Sequence, residues 1–168
     1  MTTTSEAQVT DASRLILRSD ECSFTIDLDA EPNPQEGYSA IEHDLEQGSV
    51  IVSPSGIKGV TYRSAHRHYP GKTYREIREE LRKAGERPAG ANLIDSILMS
   101  GNVYKTPRER LKFQNNVLAH YVCLGTVYEG GWVRCLGCPN DVWISEQVFL
   151  DETPTPVDYL VLLKPPLA

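Results

Sequence analysis

No apolar run in this chain is long enough to cross a membrane. The longest, Ser49 to Val52, Leu93 to Met99 and Tyr159 to Leu163, fall far below the roughly 20 residues that a spanning helix requires. The N-terminus, Met1 to Val9, has neither the basic segment nor the apolar segment of a secretory leader. Cysteine is scarce, with four in 168 residues. A chain of this length buries enough surface to fold without disulfides or metal. Few cysteines and no leader point to a cytoplasmic setting with free or metal-bound thiols. The signatures of phosphate-binding loops, dinucleotide-binding turns, zinc proteases and nucleophile elbows are all absent. No residue set can therefore be named catalytic, and the sequence discloses no specific activity.

What is present is an ordinary globular composition, 40 % hydrophobic and 24 % charged, in a length that suits one domain. Residues 1–12 show no periodicity and read as a flexible tail, leaving 13–168 as a single globular domain. Ser23–Leu28 alternates as a strand with one face buried, and Arg14–Arg18, Ser49–Ser53, Ile57–Arg63, Ala119–Tyr128, Trp132–Leu136, Val142–Leu150 and Val157–Lys164 also read as strands. Tyr38–Gln47 reads as one or two helical turns on Ile41 and Leu45. Thr73-Tyr-Arg-Glu76 is a capping box, followed by an apolar stripe of Tyr74, Ile77, Leu81 and Ala84 and then by Gly85. Ala91–Ser100 predicts a short apolar helix, and Thr106-Pro-Arg-Glu109 opens another. Glu129-Gly-Gly131 is a hairpin loop. The architecture these elements imply is α+β, a mostly antiparallel sheet with two or three helices packed on one side.

The net charge of −6 conceals a segregation. Residues 1–47 hold eleven acids against two bases, and residues 58–112 hold thirteen bases against six acids. Such a split suits an anionic partner on the basic segment, or pairing of the two segments with each other. The basic stretch contains Arg63, His66, Arg67, His68 and Lys72 just before the first capped helix. Histidines two apart on an extended segment share a face and could bind a metal or handle a proton, and with neighbouring arginines the loop could hold a phosphate or carboxylate. Tyr62, Tyr69 and Tyr74 interleave with the bases, as single-stranded nucleic-acid binding would need. The acidic overall charge sets that partner behind a protein or a small anion. The leading expectation is a binding protein that uses this loop and the capped helix, with an enzyme built on His66 or His68 as an alternative.

The other chemical grouping is His120-x2-Cys123 followed by Cys135-x2-Cys138. Four such donors in two closely spaced pairs resemble a zinc-ribbon spacing, so a zinc-stabilised module is a further alternative. Against it, His120 and Cys123 have opposite parity on one strand and point to opposite faces. Packing alone also buries cysteine, so no cofactor is the primary expectation. A redox role for Cys135 and Cys138 lacks the helix N-terminus that would lower a thiol pKa. A homodimer through an exposed strand edge is compatible with every one of these readings.

Overall fold

The computed structural model describes residues 24–32, 39–44, 48–53, 56–99, 119–137 and 144–164. The expected tail, the Arg14–Arg18 strand, the Thr106 helix and Cys138 lie outside these residues. Within them are ten strands and three helices. In chain order these are β1 (Phe24–Asp27), β2 (Ala40–His43), β3 (Ser49–Ser53), β4 (Gly56–Lys58), β5 (Val60–Ser64), α1 (Ala65–His68) and α2 (Tyr74–Lys83). Then follow β6 (Arg87–Pro88), α3 (Asn92–Met99), β7 (His120–Tyr128), β8 (Trp132–Gly137), β9 (Ile144–Phe149) and β10 (Asp158–Leu163).

A large sheet has the order β5-β10-β7-β8-β9, with β6 paired to β10 and β2 to the far end of β7. All of its pairings are antiparallel except β10 with β7. A smaller antiparallel sheet has the order β1-β3-β4. The protein is thus mostly β, mostly antiparallel, with helices added.

Alternation along the central strands gives the large sheet two buried faces. Leu160, Leu162, Val122, Leu124, Val133 and Cys135 face α2, where they meet Tyr74, Ile77 and Leu81. Val161, Leu163, Tyr121, Cys123 and Leu136 face the other way, onto α3 through Leu93, Ile94 and Ile97 and onto Ile26 and Val50 of the small sheet. The helices therefore lie on both sides of the sheet rather than on one, because β7, β8 and β10 are apolar at consecutive positions and each face needs its own cover.

The first capping box forms as expected. Thr73 accepts from the Glu76 amide, and Glu76 accepts from the Thr73 amide at 2.8 Å. At the other end of α2 the Glu86 amide donates to Leu81 and the Gly85 amide to Arg82, a Schellman pair. Tyr38–Gln47 differs from expectation. Its described part is the strand β2, whose backbone pairs with Thr126, Val127 and Tyr128 of β7, so that sheet pairing overrides local helical preference. The expected Ile57–Arg63 strand is broken at Gly59, whose φ of 93° turns the chain from the small sheet into the large one. Among the described residues no helix is long and apolar enough to cross a membrane.

Candidate functional site

The basic loop folds on itself. Arg63, on β5, makes a two-pronged pair with Glu86 at 2.8 and 2.5 Å and also donates to the Tyr69 hydroxyl at 2.7 Å. The Glu86 hydrogen bonds hold the Arg63 pKa above its ordinary value and lower that of Glu86 in return. Lys72 pairs with Glu80 of α2. Ala65–His68 is a helical turn capped by Ser64 rather than an extended segment. At about 100° per residue, His66 and His68 point to different sides. His66, Arg67 and His68 are exposed, and His68 Nδ1 lies 3.0 Å from the Ser64 carbonyl oxygen.

The cysteine grouping is divided by the sheet. Val122 pairs with Cys135, and Cys123 pairs with Arg134. Cys135 therefore shares the α2 face with Val122, and Cys123 lies on the α3 face. Cys138 is outside the described residues. His120, Cys123 and Cys135 do not converge on one point, so those three donors do not fit a single tetrahedral ion. Both thiols are buried and free. Burial pushes the Cys123 thiol far up and that of Cys135 up to about 12.

His120 belongs instead to a polar chain at one end of the α2 face. Its Nδ1 lies 3.1 Å from Asp158 Oδ1, and its Nε2 lies 3.3 Å from Glu146 Oε2. Asp158 in turn accepts from the Tyr74 hydroxyl at 2.6 Å and from the Thr155 amide at 2.8 Å. Three strands, the first residue of α2 and the loop before β10 supply these groups. Gly137 makes room for them, since a Cβ there would stand 3.3 Å from the His120 ring. The Asp158 hydrogen bond raises the His120 pKa. Burial alone would raise Asp158, but the hydrogen bonds from His120 and Tyr74 outweigh it and hold the carboxyl low. Burial and the same Asp158 bond push the Tyr74 phenol far up. The imidazole lies between two carboxylates, which favour its charged form.

The third grouping is a groove of about 400 Å³ between α2, β2 and the β7–β8 turn, lined in part by Ile41, Glu42, Arg75, Arg78, Arg82 and Gly131. The three arginines recur at intervals of three and four along α2, which places them on one side of the helix. Arg78 is only 6 % exposed. Its Nε donates to the Leu124 carbonyl at 2.8 Å and its Nη1 to Glu42 at 2.6 Å. Its Nη2 stands 3.6 Å from Asp44 and makes no hydrogen bond. Arg82 donates to Asp44 at 2.8 Å, and Arg75 pairs at 2.8 Å with Asp151 in solvent. The Arg78 hydrogen bond lowers the Glu42 pKa.

The acidic and basic segments thus do pair with each other at β2 and α2. The arginine spacing was legible once α2 was assigned. Nothing in the sequence marked Glu42 or Asp44 as the facing carboxylates, or Asp158 and Glu146 as partners of His120. Comparison with protein-family models, with curated proteins and with solved structures gave no match.

Proposed function

We propose that the protein acts by binding, and that the groove along α2 is the seat for a ligand carrying a carboxylate or phosphate group. The observation that carries this reading is Arg78, a guanidinium withdrawn from water at the groove with one nitrogen short of a hydrogen bond, and with Arg75 and Arg82 on either side. Guanidinium groups recognise planar carboxylates and phosphates through paired N–H donors, and desolvation strengthens such contacts. The exposed pairs that Arg75 and Arg82 make contribute little on their own, so an incoming anion can replace them. His66, Arg67 and His68 on α1 are a second exposed surface for the same class of partner.

The test is equilibrium binding of inorganic phosphate and citrate, followed by amide chemical shifts in the intact chain. Shifts centred on α2, β2 and Gly130–Gly131 that weaken with salt and vanish in Arg75→Ala/Arg82→Ala support the reading. Shifts confined to residues 65–68 move the seat to α1, and no saturable shift sinks the proposal.

A further inference from the structure

We infer that Glu42 is a built-in competitor for this seat, so that the groove admits divalent anions and turns away simple carboxylates. The inference rests on the reading of the groove as a ligand seat.

The Glu42–Arg78 pair is unequal. The Arg78 side chain is 8 % exposed and that of Glu42 is 51 % exposed. The cation is fixed by burial and by its bond to Leu124, whereas the anion reaches it from solvent. Glu42 also stands 3.7 Å from Arg82, so one carboxylate spans two of the three arginines. It follows an irregularity in the β2–β7 register, beside Ile41, which is 59 % exposed. Its side chain can therefore swing out without undoing the strand. Asp44, which stands 2.8 Å from Arg82 and 3.6 Å from Arg78, differs in being held in place: its amide donates to Gly125 and its side chain is 26 % exposed.

Asp44 stays 3.6 Å from Arg78 but makes no hydrogen bond to it, and a buried guanidinium short of a hydrogen-bonded anion is costly, so a carboxylate or phosphate is favoured against Arg78. Glu42 fills that place at the high effective concentration of a group on the same chain. A free monocarboxylate offers the same chemistry as the group it would displace and must also overcome that concentration. It gains nothing by exchange. A phosphate monoester or a dicarboxylate brings a second negative charge and further acceptors, and Arg75 is there to take them, paired among the described residues with a carboxylate that is 77 % exposed. The seat is thus selective by competition with its own strand.

The experiment titrates inorganic phosphate, succinate and acetate into the wild-type chain, Glu42→Gln, Asp44→Asn and Arg75→Ala/Arg82→Ala, reading amide shifts, with thermal unfolding run in parallel. Glutamine still offers Arg78 an oxygen, so Glu42→Gln retains a partner for the guanidinium. We expect wild-type binding of phosphate and succinate but not of acetate. Glu42→Gln should tighten phosphate by about tenfold and let acetate in, since apparent affinity is scaled by the fraction of molecules with an open seat. Asp44→Asn should change affinity much less. Equal phosphate affinity in wild type and Glu42→Gln, with binding lost in the arginine variant, overturns the competitor while leaving the seat in place. Acetate binding the wild type as tightly as phosphate overturns the selectivity. No binding of any probe to wild type or Glu42→Gln overturns the seat and this inference with it.

Discussion

His120 and Asp158, 38 positions apart in the chain, meet at 3.1 Å across the parallel pairing of β7 with β10. Asp158 anchors the imidazole from the buried side, and Glu146 of β9, on the far side of β8, faces it from the other. His120 on β7 is thereby tied to both β10 and β9.

This arrangement makes stability depend on pH in a defined direction. The folded-state pKa of His120 is raised above its unfolded value near 6.5. Its contribution is therefore full below pH 6.5 and is lost as pH rises through the folded pKa. Proton NMR titration of the ring should give a midpoint above the ordinary histidine value, and Asp158→Asn should bring it down. A His120 midpoint at or below 6.5 in the wild type would contradict the assignment. Asp158, held low, works in the opposite sense, and its contribution fades as pH falls below the ordinary carboxylate range.

Tyr74→Phe removes the hydroxyl that donates to Asp158 in a buried setting. The same Asp158 oxygen keeps the Thr155 amide, so the loss is that of one hydrogen bond to a charged group, about 1.5–3 kcal/mol. Urea unfolding at pH 7 measures it. The His120 midpoint should survive the change, since the imidazole bond to Asp158 remains.

Arg134 pairs with Asp95 of α3 and donates to the Ser145 hydroxyl at 2.9 Å, with 5 % of its side chain exposed. Removing either partner leaves a buried charge unpaired. Arg134→Met or Asp95→Leu alone should lose about 3–5 kcal/mol, and the double variant should recover much of that. A double-mutant cycle in guanidinium decides it, and additive losses would show that the two groups act independently.

Cys123 and Cys135 should resist thiol reagents in the native state, because burial keeps both thiols protonated and out of reach. Alkylation followed by peptide mapping should label them only at the rate of unfolding. Rapid labelling of Cys135 in the folded protein would mean that the α2 face is open.

Thr73→Ala deletes the side chain that accepts from the Glu76 amide and breaks the reciprocal box. The loss should be about 1 kcal/mol, read from a shifted urea midpoint at constant slope. Binding at the groove should persist, since the three arginines lie further along the helix.

The sequence by itself determined what depends on near neighbours. The box at Thr73 and Glu76, the glycine that closes α2, the Glu129–Gly131 turn and the alternation in β1 all rest on contacts within a few residues, which spacing records directly. Parity alone also separated His120 from Cys123. Tertiary structure decided whatever depends on register and on which strand lies beside which. It made a strand of Ala40–His43, because β7 offered backbone partners that an isolated segment lacks. It covered both faces of the sheet with helices, divided Cys123 from Cys135, and brought Asp158 and Glu146 to His120. It also gave Arg63 and Lys72 internal carboxylate partners and turned Arg78 toward Glu42. Side-chain chemistry was legible in the chain, but a pairing between charges far apart in sequence has no local signature. It is set by strand order, and strand order is fixed by burying two apolar faces at once.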